Sequence, residues 1–323
     1  MEHIARRCGP ESAAPPSGGA VSARGGALAS DREDMIWIPG GTFLMGSNAF
    51  YREERPVREE SVEGFWIDRF PVTNAKFRRF VEATRYVTFS ERVPTQEMYP
   101  DAAPECLVPG SLVFVKPPGP VSLRDSFAWW AYVPGADWRH PQGPNSSIAE
   151  KDDHPVVHVN YEDALAYANW ASKELPAESQ WEFAARGGLD GAIYPWGDEL
   201  HPDGRHMANT WQGRFPFENV AEDGFEGTSP VDAFPPNGYG LHDVVGNVWE
   251  WTKTPYAPTD RAQKSCCHAE ARSPRETLFV VKGGSHLCAP NYCLRYRPAA
   301  RQGQTIDSST SHIGFRCVAR ERR

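Results

Sequence analysis

The sequence predicts a single α+β domain, irregular and rich in loops, that spans about residues 35–320. The chain of 323 residues contains 28 glycines and 29 prolines, a larger combined share than soluble proteins usually have. It also contains 11 tryptophans, 16 phenylalanines and 11 tyrosines. Many turn-forming residues together with many large aromatic rings indicate an irregular backbone held by buried side chains, rather than a helical bundle or a doubly wound sheet.

Composition excludes two classes of partner. Hydrophobic residues make up 40% of the chain and charged residues 24%, as is typical of a soluble globular protein. The longest apolar run, Phe127–Val133, is far shorter than the roughly 20 residues of a membrane span. The net charge of -8 argues against a general nucleic-acid binder, which shows a basic stripe. We therefore expect neither a membrane nor a nucleic acid as partner.

The start of the chain and the cysteines predict the compartment. Residues 1–34 have no apolar segment of the kind that a secretory signal contains, and no aromatic residue, so they are expected to form a disordered tail. Seven cysteines without a signal are expected to be thiols in the cytoplasm. They are Cys8, Cys106, Cys266, Cys267, Cys288, Cys293 and Cys317.

The first ordered elements follow directly. Residues 35–46 read as two short strands around a Pro-Gly-Gly turn, and Phe65–Asp68 reads as another strand. Thr73 can cap a helix, because apolar residues then recur at helical spacing. Residues 88–152 are rich in proline and polar residues, and the short run Arg52–Arg55 is expected to be a solvated face.

The later elements follow from similar signals. Residues 154–159 predict a short strand, Asn160 caps a second helix, and Pro176 opens a third that ends at Gly187. Residues 190–250 are predicted to be mostly loop and residues 256–275 a surface excursion. Another strand, Leu278–Lys282, then leads into a Gly-Gly turn.

Two cysteines five positions apart, Cys288 and Cys293, follow this turn. Their spacing leaves three interpretations open: two buried structural thiols, a disulfide, or a soft-metal site. Zinc needs four ligands and the pair supplies two, whereas two thiolates suit Cu(I). Arg295 and Arg297 are close in sequence and would favour the thiolate form.

Two sets of oxygen-bearing residues lie in the loops before this pair. Asn209 and Asp223 flank one loop, and a second set occurs between residues 243 and 250. Ca²⁺ takes six to eight oxygen ligands, so both sets are candidates for calcium. The alternative is ordinary turns with solvated carboxylates, which the residue types alone favour.

Over residues 35–320 the chain resembles the formylglycine-generating enzymes of the sulfatase-modifying factor family. Several segments of the sequence resemble segments typical of that family, and the most specific of them contains the cysteine pair. The blocks include IPGGTFLMG at 38–46, HPVVH at 154–158, LPAESQWEFAARGG at 175–188, GNVWEW at 246–251, GGSHLCAPNYCLRYR at 283–297 and GFRC at 314–317.

The resemblance implies an irregular mixed fold related to C-type lectin-like domains. It implies oxidation of a cysteine in a sulfatase Cys-x-Pro-x-Arg motif to Cα-formylglycine, with O₂ and a thiol reductant. Cys288 and Cys293 would hold Cu(I), and the substrate cysteine would add a third thiolate. Ser285 and Trp249 match positions beside the metal and oxygen pocket, and Tyr292 would flank the ligands.

The resemblance also implies two structural calcium sites. The first would use Asn209, Thr210, Asp223 and Phe225, and the second Asp243, Gly246, Val248 and Glu250. Ala185 and Pro298 stand where secreted relatives carry cysteines, so Cys317 is expected to be a buried thiol in a cytoplasmic enzyme. His312 replaces an asparagine near the substrate groove of relatives, and Asp243 likewise replaces an asparagine in the second calcium site.

Two other functions compete with this one. The first is a non-catalytic module of the same fold that binds a peptide or a glycan. The second is an iron-dependent enzyme that forms sulfur–carbon bonds, a class that uses a histidine-rich iron site on an extra N-terminal helical domain. Residues 1–34 are too short to supply that domain.

Overall fold

The computed structural model describes residues 34–257 and 277–320, in which short helices and strands alternate with long loops. This confirms the predicted mixed, loop-rich domain. The predicted tail and the surface excursion at 256–275 lie almost wholly outside the described residues. The helices are α1 Asn74–Thr84, α2 Tyr161–Trp170 and α3 Glu178–Arg186. The strands are β1 Met35–Ile38, β2 Gly41–Met45, β3 Arg58–Val62, β4 Phe65–Asp68, β5 Gly110–Phe114, β6 Trp130–Pro134, β7 Trp249–Pro255, β8 Leu278–Lys282, β9 Arg301–Thr305, β10 Ile313–Gly314 and β11 Val318–Ala319.

The strands form several small sheets. One has the strand order β1-β4-β11, a second has the order β10-β7-β8-β9, and β2-β3 and β5-β6 form two-stranded ribbons. Strand β7 pairs with β8 in antiparallel fashion and with β10 in parallel fashion. The four-stranded sheet therefore joins residues on both sides of the cysteine pair.

The helices start where their capping residues predict. The Thr73 hydroxyl accepts a hydrogen bond from the Lys76 amide at 3.3 Å. At α2, the Asn160 side chain accepts from the Asp163 amide at 2.8 Å, and the Asp163 carboxylate accepts from the Asn160 amide at 3.0 Å. This reciprocal pair satisfies two amides that a helix start leaves open. Helix α3 ends at Gly187, whose φ of 61° suits a glycine.

The predicted strand at residues 154–159 is wrong. This segment forms only an isolated bridge between Thr73 and Pro155. The His158 backbone has a φ of 59°, and its amide donates to the Thr310 carbonyl at 2.9 Å. The left-handed conformation breaks the extended run, so its apolar residues enter the core from a loop.

Seven strands of the described residues were not predicted. Strands β3, β5, β6 and β7 precede the last predicted strand, and β9, β10 and β11 follow it. Strand β7 begins at Trp249, inside the end of the predicted loop region. The aromatic run at 127–133 contributes to β6, which pairs with β5.

Buried aromatic rings form the centre of the molecule, as the composition predicts. The main cluster joins α1 and α2 to the four-stranded sheet and includes both cysteines of the pair. Phe77 is fully buried there and contacts the rings of Trp138, Tyr167 and Phe315. Within residues 34–257 and 277–320, no helix is long and apolar enough to span a bilayer.

Candidate active site

The two cysteines come together as a close pair of thiols. Their sulfur atoms are 3.0 Å apart, and Cys288 and Cys293 are 2% and 7% exposed. Both are free, so the disulfide interpretation does not describe this structure. Two sulfur donors at one buried point remain compatible either with a soft metal ion or with a structural thiol pair.

Two consecutive turns place these sulfurs. The Cys288 amide donates to the Ser285 carbonyl at 2.9 Å, and the Cys293 amide donates to the Ala289 carbonyl at 2.7 Å. The chain enters through Gly284, where φ is 72° and an added Cβ would lie 2.7 Å from the Arg295 carbonyl oxygen. Only glycine fits that approach, which explains the Gly-Gly turn before the pair.

Arg295 is the cation at the pair. Its guanidinium lies 3.9 Å from the Cys293 sulfur. The hydrogen bond with Cys288 and the charge of Arg295 lower the pKa of the Cys293 thiol, although burial opposes this. Burial, followed by the hydrogen bond to Cys293, raises the pKa of the Cys288 thiol well above its usual value. The pair is therefore asymmetric, with the anionic character on Cys293.

Arg297 does not act on the thiols in the same way. Its guanidinium is buried against Glu54, with hydrogen bonds of 2.5 and 2.9 Å. Glu54 is 2% exposed, and Glu53 accepts a 2.6 Å hydrogen bond from Arg295. The expectation that residues 52–55 form a solvated face holds for Arg52 and Arg55, which are exposed. It is wrong for Glu53 and Glu54, because these two carboxylates neutralise the arginines that follow the pair.

The other predicted site residues surround the pair. Trp249 is 3% exposed and belongs to the same core cluster as both cysteines. Ser285 is fully buried, and its hydroxyl accepts from the Leu287 amide at 3.2 Å. Tyr292 is 41% exposed and stacks on Phe215 with ring centroids 4.5 Å apart. Trp249 and Ser285 are thus buried like the cysteines, whereas Tyr292, next to Cys293 in the chain, is exposed.

His312 lies on this aromatic side. Its ring centroid is 4.8 Å from that of Trp130, and its Nδ1 is 3.0 Å from the Thr310 hydroxyl. Burial lowers the pKa of His312 to about 3 and that of His286 to about 4. Both rings are therefore neutral at ordinary pH, and neither is a source of positive charge.

The first predicted calcium set is assembled around buried oxygens. Asn209 is fully buried and its Oδ1 has no hydrogen-bond partner. The Asp223 carboxylate accepts from the Thr210 amide at 3.3 Å and from the Phe225 amide at 3.0 Å. An unpaired buried oxygen beside a carboxylate fits a hard cation, since such a group otherwise costs stability.

The second set fits only in part. Asp243 is buried, its Oδ1 has no partner, and burial raises its pKa to about 7. Gly246 lies against the Asn209 carbonyl, where an added Cβ would be 2.4 Å away. The Glu250 carboxylate, however, is taken by Arg316 at 2.7 and 2.8 Å and by the Trp181 indole at 2.7 Å. Its side chain is not available as a ligand in this arrangement. Val248 is buried and could contribute only its main-chain carbonyl oxygen.

In the described part of the chain, no three histidine, cysteine or acidic side chains converge as a metal cluster. A calcium ion would therefore combine a single carboxylate, Asp223 or Asp243, with amide and main-chain oxygens, and a soft ion would depend on the thiol pair. Sequence reasoning did not identify Tyr51 or Glu53, which come 240 positions earlier and touch the pair segment through Arg295. Residues 52–55 have the sequence Arg-Glu-Glu-Arg, and charged residues of this kind do not indicate that a segment is buried.

Two further cysteines have different states. Cys317 is a free, fully buried thiol whose pKa burial raises, as expected. Cys106 is in a disulfide, so the expectation that every cysteine is a thiol is wrong. The predictions for Cys8, Cys266 and Cys267 lie outside the described residues.

Comparisons with known proteins show which family the chain resembles. Residues 24–321 match the model of the sulfatase-modifying factor enzyme 1-like domain. The chain is 53% identical to a formylglycine-generating enzyme of Mycobacterium tuberculosis, over 88% of this chain and 97% of that one. It is 42% identical to an inactive Cα-formylglycine-generating enzyme 2 of Mus musculus, over 88% of this chain and 85% of that one.

A solved structure shows the same fold. PvdO from Pseudomonas aeruginosa aligns with a TM-score of 0.60 over 93% of this chain and all of the other, at 24% identity. That identity supports the architecture alone. The family model covers most of the chain and the first relative is matched over nearly its whole length. The chain therefore belongs to the formylglycine-generating enzyme family of sulfatase-modifying factors.

Proposed function

We propose that this enzyme converts a cysteine in a sulfatase polypeptide, within a Cys-x-Pro-x-Arg motif, to Cα-formylglycine. The observation that carries the proposal is the buried pair of free thiols, Cys288 and Cys293, with sulfurs 3.0 Å apart. Family membership alone is insufficient, because a relative at 42% identity is named inactive. The reaction would consume O₂ and a thiol reductant.

The donor set fits Cu(I). Thiolates are the ligands that select this soft ion, and two of them at one buried point leave room for a third sulfur. When bound, Cu(I) would supply the activation of O₂. The residues at hand would hold it through the Cys288 and Cys293 sulfurs, and no other described residues form a cluster of metal-binding type.

The chain's own residues would orient the substrate and exclude water. Tyr292 and the ring of Phe215 beneath it offer an exposed aromatic face for a polypeptide that approaches Cys293. Trp249 and Ser285 are buried, and Trp249 belongs to the same core cluster as the two cysteines, so bulk water does not reach these side chains. Burial of this kind strengthens electrostatic contacts made at the pair.

The calcium ions would be structural. The unpaired oxygens of Asn209 and Asp243 support this role, while the Glu250 carboxylate is already held by Arg316. A reducing cytoplasm is part of the proposal, supported by the free thiols Cys288, Cys293 and Cys317 and opposed by the disulfide of Cys106.

Mass spectrometry of a Cys-x-Pro-x-Arg peptide tests the function. After incubation with Cu(I)-loaded protein, air and a thiol, the peptide cysteine should become the aldehyde. Cys288→Ser and Cys293→Ser should each abolish this, whereas the Cys317→Ser variant, altered at a buried thiol outside the pair, should retain it if folded. Full activity in either of the first two variants contradicts the role of the pair. A wild-type protein that binds the peptide but neither binds copper nor consumes O₂ is instead a binding module.

A further inference from the structure

A short segment early in the chain, Tyr51–Glu54, contacts residues 294–297, which follow the second cysteine. The Tyr51 hydroxyl accepts from the Leu294 amide at 2.9 Å. The Glu53 carboxylate accepts from Arg295 at 2.6 Å, and the Arg295 guanidinium lies 4.0 Å from the centroid of the Tyr51 ring. Arg295 is thus held on one face by an aromatic ring and on one edge by a carboxylate.

These contacts hold the positive charge of Arg295 near the Cys293 sulfur. The Nη1 of Arg295 faces Cys293 at 3.9 Å, while its Nη2 is bonded to Glu53 and its buried Nε has no partner. Arginine suits this task because its planar group keeps its charge and its orientation when stacked and paired. Apart from its long contact with the Cys293 sulfur, the described contacts that hold this guanidinium are those with Glu53 and Tyr51.

We propose that Glu53 is a positioning residue for copper binding, and that it acts by holding Arg295 against the Cys293 sulfur. The inference rests on the proposed function. Two thiolates around one monovalent ion carry a net negative charge, and a substrate thiolate adds another. A cation about 4 Å from one sulfur stabilises that charge, most strongly where water is scarce.

Cu(I) affinity measures this directly. Under anaerobic conditions and at one fixed pH, Cu(I) is partitioned between the protein and a chromophoric chelator. Arg295→Gln should lower the Cu(I) association constant about tenfold or more, and Arg295→Lys, which keeps the charge, should recover part of the loss. The wild-type protein must bind Cu(I) in the same assay.

A matched control separates charge from folding. Arg139 is also paired with a glutamate, Glu91, at 2.6 Å and also lies over an aromatic ring, that of Trp138, at 4.2 Å. Arg139→Gln should change stability to a similar degree, measured by thermal unfolding, and leave Cu(I) affinity unchanged. A merely structural role for Arg295 would make the two variants alike in both measurements.

A double-mutant cycle tests the role of Glu53. Glu53→Ala should lower Cu(I) affinity in the wild-type background and lower it no further in the Arg295→Gln background, because its effect passes through that guanidinium. Additive losses would overturn the positioning role. Unchanged affinity in Arg295→Gln, with copper bound normally by the wild type, overturns the inference while the proposed function stands. A wild type without Cu(I) binding overturns both.

Discussion

At the scale of single residues, position relative to the sulfurs separates groups of the same type. Arg295 and Arg297 differ by two positions, yet one faces Cys293 and the other is buried against Glu54. The sequence suggested the same role for both, because it shows proximity along the chain and not direction. The cysteine pair itself could be predicted, since its spacing and the Gly-Gly turn before it are local features.

Tyr292 is expected to contribute through its ring. It stacks on Phe215 with ring planes 9° apart, and stacked pairs contribute about 0.5–1.5 kcal/mol beyond their buried area. Tyr292→Phe should therefore keep KM for the peptide within about twofold, whereas Tyr292→Ala should raise KM about three- to tenfold. Steady-state kinetics check this, and an unchanged KM in Tyr292→Ala would show that the peptide binds elsewhere.

His158 should make stability depend on pH. Burial lowers its pKa to about 4 from 6.5, so the unfolded chain binds the proton more tightly. The stabilisation is complete above about pH 6.5 and is lost as pH falls towards 4, by up to about 3 kcal/mol. His158→Asn, which tolerates the positive φ, should reduce the pH dependence of the urea-unfolding free energy across this window without abolishing it, because burial also lowers the pKa of His286 to about 4 and that of His312 to about 3. His140→Asn, at a 41% exposed side chain, is the control; equal slopes in both variants would contradict the assignment.

At the scale of elements, capping signals were more informative than hydrophobic runs. Thr73 and Asn160 start helices as predicted because their caps depend on residues only three positions away. The run at 154–159 has the composition of a strand but joins Val72 and Thr310 through a loop. The β5-β6 ribbon was not predicted because its two strands are separated by residues 115–129, a proline-containing segment that has no hairpin signal.

The segment 52–54 should be an unusually sensitive element. Glu54→Gln leaves Arg297 buried without its full charge partner, and breaking a buried pair destabilises a protein by about 3–5 kcal/mol. Glu60→Gln is the matched control, because its partner Arg58 is exposed and such pairs contribute less than about 1 kcal/mol. Urea denaturation measures both. Equal losses would mean that burial does not set the contribution of the Glu54 pair.

At the scale of the whole molecule, much of the described chain is loop. The buried oxygens of these loops, such as Asn209 Oδ1, predict that thermal stability depends on calcium. Asp223→Asn should remove most of a calcium-induced rise in Tm, which is several degrees for an ion at about 100 times its Kd. Asp203→Asn, at an exposed position, should keep the rise. A wild-type Tm that is the same with calcium and with a chelator would count against both ion sites.

The overall architecture followed from composition and the family blocks, whereas the contacts between distant segments did not. Tyr51 reaches Leu294, and Ile313 lies beside Trp249 in the parallel pairing of β10 with β7. Such contacts have no local signature, because they depend on where the loops carry each segment. The burial of Glu53 and Glu54 belongs to this class.

The last strand has a consequence for when activity appears. Strand β11 pairs with β4, and the Val318 amide and carbonyl both bond to the Glu174 backbone. Residues 318–319 therefore complete the sheet that also contains β1 and β4. Contacts of such wide sequence separation form slowly. During synthesis, a nascent chain would carry both cysteines before residues 318–319 are made, and an intermediate that lacks these two residues should therefore be inert.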